Sequence, residues 1–151
     1  MARKHQSKKG GIVMAIKWEE PKIDWKSTDR FNFSDYNRIK NNISYVYRKA
    51  TELNKPFDIE DMGEDINDYA SFWNVIYFNA WENNIEALNN NVFMKDYGTK
   101  QTFYENGAFI QYSELNRLES AILNMKKILD AQEISVNKLP FVLGRFKTIR
   151  V

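Results

Sequence analysis

From residue 34 the apolar positions fall into step: Tyr36, Ile39, Ile43, Val46, Ala50 and Leu53 are separated by alternating intervals of three and four. That spacing draws one apolar stripe along a helix. Ser34 offers an N-cap hydroxyl, Asp35 sets a negative charge at the positive helix end, and Pro56 forbids continuation. The pattern returns later, with Leu115, Leu118, Ile122, Met125 and Leu129 on the stripe, Ser113 as the cap and Glu114 in the first turn. The correspondence extends to residue type, because Phe33-Ser34-Asp35-Tyr36-Asn37-Arg38-Ile39 is answered by Tyr112-Ser113-Glu114-Leu115-Asn116-Arg117-Leu118. Residues 31–53 and 110–131 therefore form an internal repeat.

Between the copies, residues 65–90 predict a central helix on which Tyr69, Phe72, Trp73, Ile76, Ala80, Ile85 and Leu88 share a face that Tyr77 and Trp81 widen. So broad an apolar face is stable only when covered on more than one side, and the two repeat helices are the expected cover. Upstream, Trp18, Pro21 and Trp25 mark an extended lead-in, and Asn106-Gly107 marks the turn of a loop or short hairpin. The last stretch, EISVNKLPFVLGRFKTIRV, carries β-branched and aromatic residues punctuated by Pro140 and Gly144, which predicts one or two short strands. Such strands would pair with the lead-in or with another chain, which makes Trp18, Trp25, Phe141 and Phe146 the interface candidates. The expected fold class is mainly α: a three-helix bundle with pseudo-duplicated capped helices, plus short β segments at the N-terminal lead-in and the C-terminus.

Composition narrows the chemistry. The chain has 151 residues, which suits one helical domain over 15–151 behind a flexible basic arm at 1–14 containing Arg3, Lys4, Lys8, Lys9 and Gly10-Gly11. That arm also reads as a tail upstream of a natural start at Met14. A net charge of +2 is too small for a field over the whole molecule, so any nucleic-acid contact would be local. No cysteine is present and His5 is the one histidine, which removes thiolate chemistry, zinc–thiolate sites and most histidine-based catalysis. No apolar run approaches the roughly 18 residues of a membrane span, so no membrane partner and a cytoplasmic origin are expected.

Residues 58–68 collect Asp58, Glu60, Asp61, Glu64, Asp65 and Asp68 around Gly63. An EF-hand loop needs oxygen ligands at its fifth and twelfth positions, where Met62 and Tyr69 stand, so the acids are expected to be solvated and to stabilise the start of the central helix. Glu19, Glu20 and Asp24 offer carboxylates without a spacing that fixes a catalytic pair. No phosphate-binding glycine loop, Ser–His arrangement or HExxH occurs. No catalytic residue, cofactor or metal is expected. The Asn37-Arg38 and Asn116-Arg117 pairs could read phosphates or carboxylates. The structural alternative has Asn satisfying exposed backbone and Arg lying over Phe33 or Tyr112, or meeting an acid of the lead-in.

WKSTDRFNFSDYNRIKNNISYV followed by YSELNRLESAI resembles a recurrent pattern, W-x(n)-D-x-F-N-[FY]-x-D-[LY]-N-R-I-[EK]-x-N with a second N-R-[IL]-E helix. The pattern belongs to tail, baseplate and fibre-associated proteins of phages and prophages of low-GC Gram-positive bacteria, and the resemblance spans residues 17–129. It implies a non-enzymatic structural protein of a phage or phage-like tail, with other tail or baseplate proteins as partners and a homo-oligomer in the particle. It also implies the virion tail as its location, after assembly in the host cytoplasm. A helical nucleic-acid-binding protein using Arg38, Arg117, Arg145, Lys147 and Arg150 is the alternative. A cell-wall carbohydrate-binding tail protein stacking sugars on Trp18 and Trp25 is a weaker one.

Overall fold

Asn32, two residues ahead of the expected cap, starts the first helix. Its Oδ1 accepts from the backbone of Ser34 and Asp35 at 2.9 and 3.2 Å, while Asp35 returns a bond to the Asn32 N–H at 3.1 Å. This reciprocal box satisfies three backbone donors at once, which a serine inside the first turn cannot do. Ser34 instead donates its hydroxyl to Asn32. Helix α1 then spans Phe33–Leu53 and closes on Asn54, just before Pro56. The computed structural model describes residues 15–69 and 74–145, of which 139–145 as backbone alone.

Helix α2 spans Val75–Leu88 behind the cap Asn74 and runs into a π-helical turn, Asn89–Phe93; helix α3 spans Tyr112–Arg145. Ser113 thus lies within the first turn of α3 and is not its cap, since the Gln111 carbonyl already accepts from the Leu115 N–H at 3.0 Å. The three helices pack on one another around one apolar cluster, and no strand occurs among the described residues. None of these helices is long and apolar enough to cross a membrane.

Three expectations are corrected. The central helix starts at Val75, so residues 57–69 run outside it, and Tyr69 and Ile76 are 62% and 63% exposed. Its buried apolar face is Phe78, Ala80, Trp81, Ile85 and Leu88, so Ala80, Ile85 and Leu88 lie on the face as expected, and the rings of Phe78 and Trp81 fill the interior. Phe72 and Trp73 lie outside the described residues. The lead-in is extended as expected but joins no ladder. Finally, α3 passes through Pro140 and Gly144 where short strands were expected. Extending an existing helix by one residue is far easier than nucleating new structure, and Leu129, Gln132, Val136, Leu139 and Leu143 keep the three–four spacing in sequence. Phe141 therefore belongs to α3, and Phe146 lies outside the described residues.

The core holds Trp25, Tyr36, Ile39, Ile43, Trp81, Leu88, Leu118, Ile122, Met125 and Leu129. Burying one such side chain contributes about 1.5–3 kcal/mol. Four charged side chains are buried with them, Asp35, Lys40, Glu82 and Glu119, at 8%, 6%, 2% and 0% exposure. Buried charges survive only when paired, and their partners define the site described next.

Candidate functional site

Asn37 accepts from the Ile66 N–H at 2.9 Å and donates to the Ile66 carbonyl at 2.8 Å. Asn116 does the same to Trp25, at 2.7 and 3.0 Å. A carboxamide presents one acceptor and one donor in a plane, so it matches the N–H and C=O of one residue as a neighbouring strand would. The same two-way clamp is made by Asn42 on Glu19, Asn84 on Glu60 and Asn79 on Phe103. The clamped segments are extended straps that cross the helices at residues 19–25, 60–66 and 97–103.

The straps explain why no sheet is needed: their backbone groups find partners on helix side chains. They also expose a third copy of the repeat. Phe78-Asn79-Ala80-Trp81-Glu82-Asn83-Asn84-Ile85 in α2 aligns with Tyr36-Asn37-Arg38-Ile39-Lys40-Asn41-Asn42-Ile43 in α1 and with Leu115-Asn116-Arg117-Leu118-Glu119-Ser120-Ala121-Ile122 in α3. Positions equivalent to Tyr36, Ile39, Lys40, Asn42 and Ile43 are buried in all three helices. Each strap begins on its own helix and ends, six residues later, on the anchor asparagine of another. The 19–25 strap joins α1 to α3, the 60–66 strap joins α2 to α1, and the 97–103 strap joins α3 to α2.

Under the straps lie the charge pairs. Arg38 binds Asp35 in its own helix at 2.7 Å and the buried Glu119 of α3 at 2.8 Å. Arg117 binds Glu114 in its own helix at 3.2 Å and the buried Glu82 of α2. The third equivalent would join Ala80 to Lys40, and there the charges are rearranged. Lys40 instead takes Asp65 at 2.6 Å and the Gly63 carbonyl at 3.1 Å, both from the 60–66 strap. Gly63 sits at φ +72°, in the left-handed region that glycine enters freely.

Glu119 is the hub. Its carboxylate receives Arg38, the Trp25 indole N–H at 2.9 Å and the Lys22 N–H at 2.8 Å. Burial opposes the Arg38 charge, but the carboxylates of Glu119 and Asp35 outweigh it and hold the guanidinium above its usual pKa. At Glu82 the balance reverses: burial pushes the carboxyl up, and Arg117 offsets only part of that.

Comparison of the chain with family models, with curated proteins and with solved structures returns no match.

Of the residues singled out in the sequence, the structure brings Asn37, Arg38, Asn116 and Arg117 into the clamps and charge pairs, with roles different in detail from those expected. Neither arginine lies over Phe33 or Tyr112; Arg38 lies over Trp25, 5.8 Å from the ring centroid, and its acids come from α1 and α3. Trp25 is 4% exposed and hydrogen-bonded to Glu119, so it offers no stacking face or interface. Trp18 is half-buried, packed on Tyr45 with Lys126 above it. Arg38 and Arg117 are paired with carboxylates of neighbouring helices, Arg145 is described as backbone alone, and Lys147 and Arg150 lie outside the described residues. The acidic stretch does not sit at the start of α2, because it is the strap on α1, where Asp61 also caps the Gly63 N–H. Among the described residues no group of three acidic or histidine side chains could hold a metal ion. Asn42, Asn79, Asn84, Glu82 and Glu119 were missed, although the recurring N-x(4)-N-I of Asn37…Asn42-Ile43 and Asn79…Asn84-Ile85 is visible in the letters.

Proposed function

We propose that the chain is a non-enzymatic structural protein of a phage or phage-like tail, acting in the baseplate, tail tip or fibre attachment by docking to neighbouring tail proteins. On this reading the chain is a three-helix bundle, with the duplicated motif of α1 and α3 echoed in α2, whose motif residues build a rigid body. One observation carries the reading: Asn37, Arg38, Asn116, Arg117 and Glu119, the polar residues shared with the tail-protein pattern or paired to it, are used up in holding straps and helices together. A motif spent on architecture marks a module, not a reaction. Partners then meet the outer surface, where Ile76 and Tyr104 stand 63% and 71% exposed on a cleft of about 700 Å³ between the start of α2 and the 104–107 turn. Electron microscopy of particles from a strain lacking the gene is expected to show a missing or misassembled tail part. Intact, infectious particles would contradict the proposal.

A further inference from the structure

Besides the charge rearrangement at Ala80 and Lys40, the threefold correspondence fails in the clamps at one place. Five residues after the anchor asparagine, α1 has Asn42 and α2 has Asn84, each gripping the first residue of its strap. In α3 that position is Ala121, 2% exposed, and it can grip nothing. The strap residue that should be gripped is Tyr97. Its phenol donates to Asn124 at 3.0 Å, which holds the strap in place, while its peptide N–H and C=O make no hydrogen bond to any described residue.

A cleft of about 640 Å³ opens at this point, lined by Lys95, Tyr97, Gly98, Ser120, Ala121 and Asn124. Its floor is kept low by Gly98, at φ +81°, where an added Cβ would come within 2.8 Å of the Arg117 Cδ. The two filled equivalents show what chemistry completes such a place: a planar group offering one carbonyl acceptor and one N–H donor to the same residue.

We propose that the cleft between Tyr97 and Ala121 is a binding site for the carboxamide of an asparagine side chain supplied by a partner polypeptide. In the first two repeats the carboxamide comes from the helix beneath the strap; with alanine beneath, it comes from outside. Two otherwise unmated backbone groups are paired in this way, and unpaired groups are what make an interface weak. The identity of the partner rests on the docking reading above, whereas the chemistry of the cleft does not.

The test is a titration of the ¹⁵N-labelled full chain with N-acetyl-asparagine methylamide, followed by amide chemical shifts. Saturable shifts are expected at Tyr97 and Gly98, with a dissociation constant on the order of 1–10 mM for so small a ligand. N-acetyl-alanine methylamide should leave these amides unmoved. Ala121→Asn fills the cleft from below and should abolish the shifts. Asn84→Ala opens the equivalent cleft on the second strap and should add a new saturable shift at Glu60, which keeps the test decisive if Ala121→Asn does not fold. Absence of saturation in the native chain, equal shifts with the alanine analogue, or unchanged shifts in a folded Ala121→Asn chain would each overturn the site. None of these results touches the particle experiment, so failure of the site and failure of the docking role are distinguishable.

Discussion

Glu119→Ala is expected to lower the stability of the chain by about 3–5 kcal/mol, the range for removing one member of a buried ion pair. The carboxylate is fully buried, and its loss strands the Arg38 guanidinium, the Trp25 indole N–H and the Lys22 N–H together. Asp35 remains on Arg38 and softens the effect without replacing the acceptors for the strap. At roughly 2–4 °C per kcal/mol for a chain of this size, the melting temperature should fall by about 6–20 °C. Glu82→Ala should do less. Burial already disfavours the charged form of Glu82, and it anchors no indole. Urea denaturation followed by far-ultraviolet circular dichroism checks both; a loss below about 1 kcal/mol for Glu119→Ala would remove the hub from the account.

Asn37→Ala and Asn116→Ala are each expected to destabilise by about 2–3 kcal/mol, because each deletes two bonds and leaves one N–H and one C=O of a strap unpaired. Ile66 and Trp25, the residues so released, are both buried. Asparagine to aspartate should be at least as damaging, since a carboxylate keeps the acceptor but turns an acceptor toward the strap carbonyl. Asn41→Ala is the control. Its amide reaches only the exposed Asp65, at 3.3 Å, and its removal should stay within about 0.5 kcal/mol. The same denaturation series measures all four, and a clamp variant no worse than the control would deny the clamps an energetic role.

Helices α1 and α3 were legible because Ile39, Ile43 and Val46, like Leu118, Ile122 and Met125, repeat at three and four residues with nothing to obscure them. The third copy was hidden by composition. Tyr77, Phe78 and Trp81 make α2 look apolar on every side, and Ala80 and Lys40 break the arginine and acid that would have advertised the match. The straps could not be read from local pattern at all, since extended chain without a ladder has no period, and the asparagine that pairs Trp25 lies on a helix near the far end of the sequence. The C-terminal stretch was misread for the opposite reason, because residue type suggested strands while the spacing continued the helix. Ser34 lost the cap to Asn32 because Asn-x-x-Asp closes a reciprocal box that the serine reading overlooked.

That loops are held as firmly as helices by asparagine side chains is the central claim, and native-state hydrogen exchange tests it residue by residue. The N–H groups of Glu19, Trp25, Glu60, Ile66 and Phe103 belong to no helix or strand, yet each donates to an asparagine. They are expected to exchange at least about a thousandfold more slowly than free peptides, alongside the core of α1, and the Ile66 amide alone among them should lose most of that protection in Asn37→Ala. Exchange of these five amides within about tenfold of the free-peptide rate would contradict the strapped architecture.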